Sequence, residues 1–117
     1  MQPLYHITSK AEAETARSTA EYTPPTFEEE GFIHCSYAGQ VQGVANRYYV
    51  GQNGLVILKI DPAKLTCDVI NENLMGGSER FPHIYGRLPM AAVVDEIDYP
   101  CKQDGSFDPP PVADLRK

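Results

Sequence analysis

Hydrophobic and polar positions alternate in short runs along this chain, and those runs predict strands interleaved with short helices. Residues 4–8 read as a first strand. Thr8 or Ser9 is placed to cap a helix over residues 11–20, with Glu12 in its first turn and Ala13, Ala16 and Ala20 on one small face suited to close packing against a sheet. Pro24-Pro25 ends that element, since each proline removes a donor and restricts the residue before it. Residues 26–30 form an acidic approach to Gly31, read as a solvated face or a helix start, and residues 32–36 follow as a central strand. Val41, Val44, Ala45 and Tyr48 recur at helical spacing, which predicts a helix within residues 37–49 capped by Ser36.

The strongest strand signal is the run Leu55-Val56-Ile57-Leu58-Lys59-Ile60, whose nearly continuous apolar character predicts a central position in a sheet covered on both faces. Residues 61–65 read as a turn, 67–71 as a short strand with Glu72 just beyond it, and 73–80 as a loop. Gly76-Gly77 within that loop lacks the surrounding glycine and lysine pattern of a phosphate-binding loop. Ile84 and Tyr85 are expected to pair briefly with the sheet, and residues 91–97 form a last strand. Residues 1–100 thus read as one α+β domain and 101–117 as a proline-rich tail. From Asp104 onward, with Pro109-Pro110-Pro111, that tail is expected to be extended and partly mobile.

A chain of 117 residues suits one core, which removes roughly two thirds of the unfolded surface from water. The net charge of -6, from sixteen acidic and ten basic residues without a basic block, argues against nucleic acid and anionic membranes as partners. One local basic pocket could still hold a small anion. Cys35, Cys67 and Cys101 are odd in number and widely spaced, which favours free thiols in a reducing compartment. With no leader pattern and no long apolar stretch, a cytoplasmic protein is expected.

All three histidines, His6, His34 and His83, lie beside apolar or aromatic residues and are expected to line one shared pocket. The plainer role for each is a single hydrogen bond to a backbone carbonyl. A metal site built from them with Cys35 conflicts with strand geometry, because adjacent residues point to opposite faces; no metal is expected. A nucleophilic Cys35 would need a neighbouring base, and a cysteine in an apolar strand is ordinarily a small buried hydrophobe. A nucleotide-type pocket is the third reading. There, His6 with His34 or Ser36 would bond ribose hydroxyls, Tyr5, Tyr48 or Tyr85 would stack on a ring, and Arg47, Arg80 or Arg87 would meet phosphate. Glu72 could stabilise positive charge as a glycosidic carbon–nitrogen bond breaks, or be an ordinary turn carboxylate; its direction is open.

Taken together, Tyr5-His6-Ile7-Thr8, Gly31-Phe32-Ile33-His34-Cys35-Ser36, the helix ending Arg47-Tyr48-Tyr49, the 55–61 strand, Glu72 and Phe81-Pro82-His83-Ile84-Tyr85-Gly86 resemble the bacterial domain-of-unknown-function family 952, over about residues 3–98. The resemblance implies an ADP-ribosyltransferase-like fold: split small mixed or antiparallel sheets with flanking short helices around an NAD-binding cleft. In that group a first-strand histidine contacts the ribose, which His6 matches, and the 34–36 end of the second motif lines the nicotinamide side. Glu72 lies outside the usual glutamate motif of the group. Relatives that act on RNA without such a glutamate use basic residues that this acidic chain lacks. The expected function is binding of NAD or a related nucleotide with transfer of ADP-ribose. His6, His34 and Glu72 are the catalytic candidates, and His6, Ser36, Arg47, His83 and Tyr85 the cofactor-binding ones. A non-enzymatic module for a small ligand or partner protein is the alternative, and a metal-dependent hydrolase a third.

Overall fold

The computed structural model describes residues 2–73 and 79–110. The expected 73–80 loop lies in part outside the described residues, as does the end of the tail. Strand β1 (Leu4–Ser9) leads directly into helix α1 (Lys10–Thr19), and Ser9 caps it by accepting the Glu12 amide at 3.1 Å. Short elements follow: β2 (Glu21–Tyr22), α2 (Phe27–Glu30) and β3 (Ile33–His34). Gly31 closes α2 at φ +80°, a left-handed conformation that glycine adopts without a Cβ penalty. A single 3-10 turn (Ala38–Gln40) opens α3 (Val41–Tyr48), so Tyr37 rather than Ser36 caps this segment. The remaining strands are β4 (Leu55–Ile60), β5 (Asp68–Glu72), β6 (Phe81–Tyr85), β7 (Leu88–Pro89) and β8 (Val93–Asp98).

These strands form three small antiparallel sheets, ordered β1-β4-β8, β2-β7 and β3-β6-β5. The α+β class is therefore as expected, with every pairing antiparallel and none mixed. β4 is central and apolar on both faces. Val56, Leu58 and Ile60 join Leu4, Ala13, Ala16, Tyr22, Ile33 and Ile84 in one core cluster, and Leu55 and Ile57 join Tyr5, Ile7, Val41, Ala45 and Phe107 in another. The two alanines of α1 allow the close approach that their size predicts.

Two expectations change. The 32–36 segment is not a central strand: β3 has two residues and lies at the edge of its sheet, whose centre is β6, expected only to pair briefly. The chain then leaves β6, and Ser36 pairs with Tyr5 of β1 through reciprocal backbone bonds of 2.8 Å. The 33–36 segment is thus a seam between two sheets. The start of the tail also differs from a mobile segment, because Phe107 is buried against Tyr99 with ring centroids 4.9 Å apart. Asn46 of α3 holds its backbone from both sides, accepting from the amide at 2.7 Å and donating to the carbonyl at 3.2 Å. The lone aromatic in a polar, proline-rich stretch carried that signal.

Phe107→Ala is expected to cost about 3–5 kcal/mol of stability by opening a cavity under α3. Urea unfolding measures this, and a loss below about 1 kcal/mol would show that the segment does not close the core.

Candidate functional site

The outer face of the β3-β6-β5 sheet collects the chemistry. His34 and His83 are directly opposed across β3 and β6, and the alternation Phe81, His83, Tyr85 puts these three side chains on the same side as His34. On β5, Glu72 opposes Phe81 and so shares that face, while Ile33 and Ile84 point inward to the core. Phe32, two residues before His34, forms the floor. It stacks on the His83 ring at 4.5 Å and 22°, with the rings of His34 and Tyr85 at 4.8 and 5.2 Å.

Glu72 turns toward the histidines. His83 Nδ1 donates to Glu72 Oε1 at 2.9 Å, and the Tyr85 hydroxyl donates to the same oxygen. These bonds from Tyr85 and His83 hold the Glu72 carboxyl below its ordinary pKa, and the carboxylate raises that of Tyr85 in turn. With Nδ1 committed to Glu72, a neutral His83 carries its lone pair on Nε2, an arrangement in which a carboxylate orients an imidazole. His34 is the exposed member, its side chain 47% accessible and its Nε2 3.3 Å from Glu30. The face therefore offers an anionic carboxylate, an oriented imidazole and an accessible imidazole around an aromatic floor.

His6 stands behind this face. Its Nδ1 donates to the His34 carbonyl at 2.5 Å, and its Nε2 lies 2.8 Å from the Tyr22 hydroxyl. That hydroxyl is 3.0 Å from Thr8 Oγ1, which is 2.7 Å from Glu12 Oε1. Burial pushes the His6 pKa down to about 4 and that of Tyr22 well above its usual value. Both imidazole nitrogens are thus occupied by protein groups. Beside Glu12 and Tyr22 lies a groove of about 480 Å³ bordered by Thr15, Thr19, Glu21 and Arg87, which shares Glu12, Thr23 and Arg87 with a second concavity of similar volume.

A family model described as "Protein of unknown function (DUF952)" matches residues 7–96. The chain belongs to the DUF952 family. It is similar to protein CC0527 from Caulobacter crescentus, whose crystal structure aligns with a TM-score of 0.82 at 32% identity over 92% of this chain and 94% of that one. The solution NMR structure of CC0527 aligns with a TM-score of 0.80 at 33% identity over 92% and 93% of the two chains. Among curated proteins none matches.

Within this DUF952 chain, His34, His83, Tyr85 and Glu72 come together as one group, whereas the other candidates are placed apart from it. His6 meets the group through the His34 backbone alone. Ser36 is buried at the seam, its backbone bonded to Tyr5. Arg47 is exposed on α3, which covers the opposite face of the β1-β4-β8 sheet, with its guanidinium 6.0 Å from the Tyr48 ring centre. Cys35 points into the core opposite His34, and burial raises its pKa far above the thiolate range. Among the described residues no group of three or more His, Cys, Asp or Glu side chains could hold a metal, and no helix is long and apolar enough to cross a membrane. Phe32 and Glu30 were missed as site residues, although the i, i+2 spacing of Phe32 and His34 held the clue. Tyr22, Thr8 and Glu12 left no such signal, since their meeting depends on how α1 and β2 pack.

The depressed pKa of His6 has a defined pH consequence. Between pH 6.5 and about 4 the unfolded chain binds a proton at His6 that the folded chain refuses, so stability is present above 6.5 and falls as pH is lowered through that window. The loss from this group reaches about 3 kcal/mol. Urea unfolding at pH 7 and near pH 4.5 is the check; in a His6→Gln variant the difference should shrink, and an equal difference in both proteins would assign it elsewhere.

Proposed function

We propose that the protein binds NAD or a related nucleotide on the outer face of the β3-β6-β5 sheet, with transfer of ADP-ribose as the reaction this face would support. The observation that carries the reading is Glu72, a partly exposed carboxylate held by His83 and Tyr85 beside a floor of aromatic rings. Nicotinamide in NAD is a planar cation, and its departure leaves positive charge on the ribose. A preorganised anion next to a ring surface favours both. His34, accessible and held by Glu30, is the group for a ribose hydroxyl, since the nitrogens of His6 are engaged within the protein. The split arrangement of small antiparallel sheets is compatible with the ADP-ribosyltransferase-like grouping that the sequence resemblance implies. The free state of all three cysteines suits a cytoplasmic setting, where NAD is at hand.

Phosphate is the harder part of the ligand to place. Arg87 borders the groove beside α1, but Glu12, Glu21, Glu28 and Glu29 border the two concavities with it. That balance favours a cation over a pyrophosphate. The exposure of His34 on the histidine face favours the second reading, a non-enzymatic module that binds a small ligand or a protein.

Calorimetric titration with NAD and with ADP-ribose tests both readings. Saturable binding of each is expected. Glu72→Gln should weaken NAD about tenfold while leaving ADP-ribose, which lacks the cationic ring, nearly unchanged. Nicotinamide release by the wild type and not by Glu72→Gln would assign transfer or hydrolysis; binding without release would assign the module. No binding at millimolar ligand would end the nucleotide reading.

A further inference from the structure

Four contacts run in series from the backbone of β3 to the groove beside α1. They join the His34 carbonyl to His6 Nδ1, His6 Nε2 to the Tyr22 hydroxyl, that hydroxyl to Thr8, and Thr8 to Glu12, at 2.5, 2.8, 3.0 and 2.7 Å. A gap of this length holds one hydrogen, because two facing lone pairs repel and two facing hydrogens clash. The series therefore needs four. A neutral imidazole, a phenol and an alcohol supply three between them, and a backbone carbonyl supplies none. Filling all four gaps takes a fourth hydrogen, an extra proton bound at the Glu12 carboxyl or as a second proton on the imidazole.

We propose that Glu12, Thr8, Tyr22 and His6 form a proton relay that holds one proton beyond its three and passes it between the groove-side carboxyl and the buried imidazole. The transfer balances without any other reactant. The carboxyl O–H breaks as Thr8 Oγ1 gains that hydrogen, Thr8 gives its own to the Tyr22 oxygen, and Tyr22 gives its own to His6 Nε2. Carboxylate and imidazolium result, and the reverse shifts restore the neutral ends. His6, Thr8 and Tyr22 are 7%, 4% and 2% exposed, so Glu12 on the groove is the point of contact with water. Burial disfavours the cation at His6. The other titratable or charged groups facing the relay are His34 and Cys35 beside β3, Tyr49 after α3, Glu21 and Arg87 at the groove, and Glu28 and Glu29 at the second concavity that Glu12 borders.

The relay has a structural consequence. Loss of its extra proton leaves one gap without a hydrogen, and each of the four gaps belongs to the connection between β1, β2, α1 and the His34 backbone. The protonation state at the groove thereby acts on the strand that carries His34. The relay is independent of the ligand of the histidine face.

NMR of the full chain, following the His6 ring nitrogens and the Glu12 carboxyl carbon across roughly pH 4 to 9, tests the relay. In the wild type both ends should change at one shared midpoint. Tyr22→Phe, which keeps the packed ring and removes the middle link, should separate the two responses. Glu12→Gln, whose amide supplies the missing hydrogen permanently, should abolish the matching step at His6 Nε2 and leave Nδ1 protonated. A Glu12 step with no change at His6 Nε2 in the wild type, or a His6 response unaltered by Tyr22→Phe in a folded variant, would overturn it.

Discussion

The structure depends on how its two larger sheets are joined. The 33–36 segment pairs first with β6 and then with β1, and the reciprocal Tyr5–Ser36 backbone bonds together with the His6–His34 bond cross the boundary. These groups are in the interior, where an unpaired amide, carbonyl or imidazole nitrogen costs about 1–3 kcal/mol. Every partner at the seam is therefore constrained by the others. Among the described residues no buried side-chain nitrogen or oxygen lacks a hydrogen-bond partner, which is the condition for a polar seam to hold two sheets in one arrangement.

The seam also creates the candidate site. Cys35 and Ile33 turn inward to the core, so His34 between them must turn outward, where it meets His83 across the strand pair. Phe32 follows His34 to the same side and fills the space under the rings. The bland role of a histidine, one bond to a carbonyl, fits His6 in part, since it does bond a carbonyl. Yet its second nitrogen begins a line of hydroxyls toward the surface. His83 is instead tied to a carboxylate, and His34 is accessible. Three histidines in similar sequence settings thus have three different chemical situations.

Much was legible along the chain because its signals are local. The apolar run of β4 announced a strand covered on both faces, Ser9 and Glu12 marked the start of α1, and the conflict between His34 and Cys35 over one face followed from strand periodicity. The resemblance to family 952, carried by the histidine motifs, holds over nearly the same residues that the family model matches. The edge position of β3 and the central one of β6 were not legible, because strand order depends on which edges remain available after β1 and β4 have paired.

What the sequence determined by itself was the α+β class, the apolar faces and the pool of residues able to do chemistry, since periodicity and side-chain type are properties of the chain. Tertiary structure alone decided which of that pool meet. Glu72 joins His83 and Tyr85 through the β5-β6 register, and Glu12 joins His6 through two hydroxyls contributed by β1 and β2. Partners 11 to 28 positions apart are brought within hydrogen-bond distance by packing of α1, β2 and the sheets. No spacing along the chain encodes that packing, because it is set by the shape of the core between these elements.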